Sequence, residues 1–227
     1  MTSDHATPRP ADAKPLRLFI AIDLPEPIRA QLAQLSANLQ KGFQFTPSHP
    51  SWCAVAGIHL TLAFLGAKAE DAVEPLGQAM DQVAQGFAPL IIEIKRLGVF
   101  PHWRNPRILW AGIRDRSHQI QELHRLLERQ LTAFDYTPEE REYHPHLTLA
   151  RLKSPKGAGA GESIVNAHQD YKFGPFEAAE MVLFRSVLHV GGAQYTPLHR
   201  ARFTAPAKRF GGPPLHDKEE NEEEESQ

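Results

Sequence analysis

Apolar positions recur along the chain at two periods, near 3.6 and near 2, and the changes between them mark out its elements. Arg17 to Asp23 is a short, apolar, β-branched run that reads as a buried strand. Pro25 and Pro27 stand where prolines are tolerated, at a helix start. Ile28, Leu32, Leu35 and Leu39 then follow at helical spacing until Gly42. Residues 43–57 read mostly as loop, with a short strand around Trp52 to Val55. A strand is predicted over 58–65 and a second helix over Glu70 to Gln85, with Val73, Leu76, Met80 and Val83 as its buried stripe. Pro89 to Val99 and Arg107 to Ile113 are strands joined by a connection rich in Pro and aromatics. Ser117 to Phe134 is a third helix, with Ile120, Leu123, Leu127 and Leu131 on one side. A strand over 146–152 follows. Residues 153–163 are Gly-rich and read as a flexible loop, with a short turn or helix near 164–171. Phe176 to Val190 and Gln194 to Phe203 read as strands joined at Gly191-Gly192, a hairpin signal.

Two of these strands carry the same five residues. His-Leu-Thr-Leu-Ala runs from His59 to Ala63 and again from His146 to Ala150. An internal repeat bears on the architecture before any single residue does. Strand alternation puts His59, Thr61 and Ala63 on one face, with Leu60, Leu62 and Phe64 on the other. The second copy groups His146, Thr148 and Ala150 opposite Leu147 and Leu149. Each strand thus has an apolar face for a core and a polar face with one imidazole and one hydroxyl. Because hairpins dominate, the fold class is α+β. The expected form is bilobal and pseudo-two-fold, with two largely antiparallel sheets facing a central cleft and helices on the outer faces.

Composition changes this picture little. The chain is 41% hydrophobic and 23% charged, ordinary for a globular protein. The net charge of −2 is unevenly placed, because 213–227 is strongly acidic and leaves a mildly basic body. That surplus permits a polyanionic partner without demanding one. Residues 1–15 read as a disordered leader, 16–205 as one bilobal domain, and 206–227 as a disordered acidic tail. Cys53 is the only cysteine, which rules out an internal disulfide and suits a reducing cytosol; it reads as a small buried apolar side chain. No run approaches the ~18 apolar residues of a membrane helix, and the N-terminus lacks an apolar signal core. The expected location is therefore cytoplasmic, with no membrane partner.

Two facing imidazoles suit phosphodiester cleavage by in-line attack. A base takes the proton of the attacking oxygen while an acid protonates the leaving oxygen on the far side. Imidazole is the side chain whose ordinary pKa allows both roles near neutrality. With phosphorus between them, the rings should lie roughly 6–8 Å apart, from hydrogen-bond reach plus the width of a phosphate. Thr61 and Thr148 can donate to non-bridging oxygens, stabilising the charge of the transition state. Arg151 and Lys153 can add full charge, Arg through its bidentate fork. Strict alternation, however, puts Arg151 on the Leu147 face, so it must reach around or the strand must twist or end. The bland readings are that each His-x-Thr is surface or satisfied core, and that the threonines are merely β-formers. His144 with His146 resembles a metal pair, but no Cys cluster, His-Glu-x-x-His or Asp-rich run accompanies it. Trp52, Trp103 and Trp110 read as packing residues. No phosphate-cradling Gly-rich loop supports ATP use.

These residues together resemble the two-histidine phosphoesterases, and within them the RNA 2′,3′-cyclic phosphodiesterases, also called 2′-5′ RNA ligases. Arg17 to Pro25 is similar to the family's opening strand, His59 to Gly66 to its first signature, and Tyr143 to Arg151 to its second. Gly98 to Pro101 and Arg107 to Trp110 are similar to its central hairpin, and Phe184 to Ser186 with Tyr195-Thr196 to its last strands. The resemblance covers about residues 16–204. It implies hydrolysis of a 2′,3′-cyclic phosphate at an RNA end to a 2′-phosphomonoester, by a monomer needing no cofactor, metal or nucleotide. His59 would be the proton donor to the leaving 3′ oxygen and His146 the acceptor that activates water. Thr61, Thr148 and Arg151 would hold the phosphate. Reverse 2′-5′ joining is implied as a weak side activity. The rival readings are a 2′-5′ oligonucleotide or small cyclic nucleotide phosphodiesterase, and an RNA-end-binding module without catalysis. The approach Ser51 to Gly57 departs from the family pattern.

Overall fold

In a computed structural model describing residues 14–206 except Phe45, Ser48, Arg116, Val190 and Gly191, strand β1 (Leu16–Ile22) lies inside an antiparallel sheet. The leader up to residue 13, the tail from 207, and part of the Gly191-Gly192 turn lie outside the described residues. β1 reads as a continuous apolar run because both of its faces are covered. Leu18, Ile20 and Ile22 enter the main core, while Phe19 and Ala21 enter a second, small cluster with Val182 and Phe184.

The order continues with helix α1 (Glu26–Phe43), β2 (Ser51–Trp52), a 3-10 turn at Val55–Gly57, and β3 (Leu60–Lys68). Then come α2 (Val73–Ala84), β4 (Leu90–Phe100), β5 (Ile108–Arg114), α3 (Gln119–Leu131), β6 (His146–Arg151), α4 (Ala158–Asn166), β7 (Phe176–Ala178), β8 (Glu180–His189) and β9 (Gly192–Arg202). The apolar stripes foreseen for α1, α2 and α3 face the core; Val73 alone is only partly buried. Pro27 sits in the first turn of α1, with Glu26 beside it and Lys41 in the last turn, each where the helix dipole favours it. No helix among the described residues is long and apolar enough to cross a membrane.

The strands form one hydrogen-bonded path, β7-β4-β5-β6-β3-β1-β8-β9, with β2 on β6, and every described pairing is antiparallel. The expectation of two separate sheets is corrected to this extent: the two runs of strands are joined where β3 meets β6. They are joined by one partner pair, Leu60↔Leu147, the same residue of the two repeats. β3 and β6 overlap only at their beginnings and run outward in opposite directions. β2 pairs with the far end of β6, through Ser51↔Arg151 and Trp52↔Ala150.

Two local expectations fail for physical reasons. The Gly-rich segment is not a loop throughout, since Ala158–Asn166 is helix α4. Gly161 in α4 and Gly42 in α1 serve close approach. A Cβ on Gly161 would stand 3.0 Å from the Phe43 ring, and one on Gly42 would stand 2.8 Å from Ile164, so α1 and α4 touch nearly backbone to side chain. Strict alternation in the repeats also fails. Along β1, Ile20 pairs with Ala63 but Ala21 with Thr61, and Leu18 pairs with Gly66 but Phe19 with Phe64. Along β5, Leu109 pairs with Ala150 but Trp110 with Thr148. Each skip is an extra residue that reverses the facing of the residues beyond it. Phe64, expected beside Leu60 and Leu62, is 62% exposed, whereas Ala63 and Ala150 are buried.

Candidate active site

The Leu60↔Leu147 pair sets the geometry of the repeat faces. Both leucines are 0% exposed, so the residues flanking each of them turn to the opposite face. Continuing that antiparallel register by one residue puts His59 opposite Thr148 and Thr61 opposite His146. His59 and His146 then hold diagonal positions, whose Cα atoms in a regular antiparallel pair stand roughly 7–8 Å apart. The four side chains are half-buried.

Each imidazole is oriented the same way. His59 Nδ1 lies 2.9 Å from the Gly57 carbonyl oxygen, and His146 Nδ1 lies 2.7 Å from that of His144. A carbonyl only accepts, so Nδ1–H donates in both and each Nε2 is left for chemistry. His144, a potential metal partner of His146 by spacing, thus engages it through its backbone rather than its ring. Among the described residues, no group of three or more His, Cys, Asp or Glu is assembled to hold a metal ion.

Aromatic rings dry both sites. His59 stacks on Phe19 at 4.6 Å, with Phe184 stacked 5.2 Å beyond Phe19 and Tyr195 edge-on to His59 at 5.2 Å. His146 meets the edge of Phe100 at 5.0 Å. Burial disfavours the charged imidazole and pushes His59 down to about 4. The His59 ring also feels Asp23, which favours its proton, and Arg29, which opposes it. Burial lowers His146 as well, opposed by its hydrogen bond to His144. The burial of His59 links stability to pH. Its folded pKa lies below the ordinary 6.5, so its contribution is full above 6.5 and is lost as pH falls toward 4. In urea melts, the stability of the wild type relative to His59→Asn should fall by up to about 3 kcal/mol between pH 7 and pH 4. A constant difference across that range would contradict this account of the ring.

Arg151 reaches this face because of the extra residue at Leu149-Ala150, which turns it to the side of His146 and Thr148 and removes the alternation objection. Its guanidinium acts on the Cys53 thiol and on Tyr195, whose ring touches His59, so charge from β6 is felt on the His59 side. Cys53, expected buried, is half-buried; its N–H donates to the Leu149 carbonyl at 2.9 Å. Lys153 is exposed beyond the end of β6. Neither threonine hydroxyl has a hydrogen-bond partner among the described residues, while the Thr61 carbonyl accepts from the Tyr143 hydroxyl at 2.8 Å. That bond ties β3 to the segment leading into β6.

Sequence reasoning missed the roles of Phe19, Phe184, Tyr195, Phe100 and Arg29. Phe19 carried a usable signal, since a strand apolar at every position has a second buried face. A cavity of about 220 Å³ adjoins His59 and is lined by Asp23, Arg29, Phe184, Tyr195 and Arg200 among others.

The profile of the 2′-5′ RNA ligase superfamily matches residues 24–189. A relative from Aeropyrum pernix, named RNA 2′,3′-cyclic phosphodiesterase, is 30% identical over 144 residues, 63% of this chain and 81% of its own length. One of the same name from Escherichia coli K12 is 28% identical over 193 residues, 85% of this chain and 99% of its own. Among solved structures, that of E. coli LigT complexed with 3′-AMP superimposes with a TM-score of 0.64 at 26% identity, covering 84% of this chain and 99% of that one.

Proposed function

Since the chain belongs to the 2′-5′ RNA ligase superfamily, we propose that it hydrolyses RNA 2′,3′-cyclic phosphate ends to 2′-phosphomonoesters. One observation carries this reading: the equivalent leucines of the two repeats are strand partners, so two imidazole–hydroxyl pairs share a face, each ring held at Nδ1 by a backbone carbonyl with no partner on Nε2 among the described residues. In the proposed reaction His146 Nε2 takes a proton from water as its oxygen bonds to phosphorus. The bond from phosphorus to the 3′ oxygen breaks, and His59 Nε2–H protonates that oxygen. The products are a 2′-phosphate and a 3′-hydroxyl, and the histidines regain their starting states by exchange with solvent. Thr61, Thr148 and Arg151 hold the non-bridging oxygens. Residues 16–205 act as one bilobal, pseudo-two-fold domain, a cytoplasmic monomer working without metal or ATP, and reverse 2′-5′ joining is a weak side activity.

In the empty site burial favours neutral rings, so the donor gains its proton in the presence of the phosphate. A phosphate anion ~5 Å from an imidazolium, at an effective dielectric of ~20, contributes about 3 kcal/mol, or about two pKa units. The expected pH profile is a bell whose optimum in kcat/KM lies on the acid side of 6.5, with the kcat optimum higher. Incubating a 2′,3′-cyclic-phosphate oligoribonucleotide with EDTA should leave the phosphate on the 2′ oxygen. A 3′-phosphate product, or no turnover, refutes the proposal. Preferred turnover of a cyclic mononucleotide would move the substrate to small cyclic nucleotides.

A further inference from the structure

The turn that delivers His59 has no support of its own. The 3-10 turn Val55–Gly57 has no side-chain cap and is closed by two backbone bonds, Gly57 N–H to the Ala54 carbonyl at 2.8 Å and Ile58 N–H to that of Val55 at 3.1 Å. Its Gly57 carbonyl nevertheless sets the His59 tautomer. The carbonyls around Gly57 all turn toward one side chain on α1. Arg29 Nη1 donates to Val55 at 2.9 Å, to Ala56 at 3.1 Å and to Ile58 at 3.3 Å. Its Nε donates to the Leu24 carbonyl at 3.0 Å, and Nη2 pairs with Asp23 Oδ1. The guanidinium lines the cavity beside His59 yet is only 15% exposed, and each of its three nitrogens donates to the protein. It is therefore poorly placed to grip a phosphate and well placed to hold a turn.

The second repeat is built otherwise. Pro145, just before His146, accepts from the Ile113 N–H at 3.2 Å, so its approach is an extension of the β5–β6 ladder. No long-range cation is needed there. We infer that Arg29 is a positioning residue, fixing the 55–58 carbonyls so that the one left over, on Gly57, meets His59 Nδ1 and aims Nε2 into the site. Only a planar fork serves several carbonyls in fixed directions; an ammonium at the same place keeps the charge but not the geometry.

The kinetic arm of the test rests on the proposed role of His59, whereas the spectroscopic arm does not. Arg29→Met should lower kcat 10- to 100-fold with KM within about twofold. Arg29→Lys should lower kcat similarly while leaving the pH limb of His59 in place. In Arg29→Met that limb should move up, because a repelling charge is lost and Asp23 is freed. The charged groups around the ring are Asp23 from the end of β1, Arg29 from α1 and Arg200 from β9, with Tyr195 beside them. Two-bond proton–nitrogen spectra should show His59 protonated on Nδ1 in the wild type and largely on Nε2 in both variants. If Arg29→Met does not fold, Arg29→Lys carries the same readings. An unchanged kcat in the folded variants, or a lowered kcat with the Nδ1-protonated signature intact, overturns the inference. Full activity of His59→Ala would instead remove the functional reading and leave the spectra to decide the role of Arg29.

Discussion

Replacing His59 or His146 by Ala should lower kcat for a 2′,3′-cyclic-phosphate oligoribonucleotide by about 10²–10⁴, the usual share of a positioned acid or base. The two losses should differ in kind. A substrate with sulfur in place of the bridging 3′ oxygen has a leaving group that needs no proton. Most of the loss in His59→Ala should be regained with it, and none of the loss in His146→Ala. The opposite pattern would exchange the two roles, and regain in both would mean that neither ring is the acid. Both rings are half-buried, and circular dichroism of each variant checks that folding does not confound the comparison. Single-turnover rates at saturating substrate give the cleanest measure, since product release then drops out.

The second large effect concerns the hydroxyls. Thr61→Val and Thr148→Val keep the β-branched shape and remove only a donor that faces the site. Each should lower kcat by about 10²–10³, as loss of one preorganised donor to a developing oxyanion does. The melting temperature should hold or rise slightly, because neither hydroxyl has a partner among the described residues. A fall in stability with unchanged kcat would make the threonines simple strand formers.

How much of this could be read from the chain depends on whether the cause was local. The stripe Ile120, Leu123, Leu127 and Leu131 reports α3 directly, because helical burial repeats every turn. The repeated His-x-Thr faces were legible for the same reason, as far as Thr61 and Thr148. Beyond them legibility ended, because the extra residues at Leu62, Leu65 and Leu149 are imposed by neighbouring strands and leave no mark in the repeat itself. Arg151 therefore looked misplaced until the β5–β6 register was known. The aromatic bed under His59 was hidden by distance, since Phe19, Phe184 and Tyr195 come from opposite ends of the domain. Glycine misled in α4, where Gly161 signals contact with Phe43 rather than freedom. Arg29 carries no local signal of its role, because only the carbonyls of a turn 26 and more residues away give it a task.

The strand order limits how the molecule can be cut or permuted. β8, from late in the sequence, sits against β1 and carries β9 on its other edge, while β2, from near the start, sits against β6. Strands from distant parts of the sequence are interleaved in one sheet, so no single cut between β3 and β6 leaves each fragment with all of its strand partners. Fragments split after β3 would recover structure only by recombining, and a permuted chain would have to keep first and last strands together.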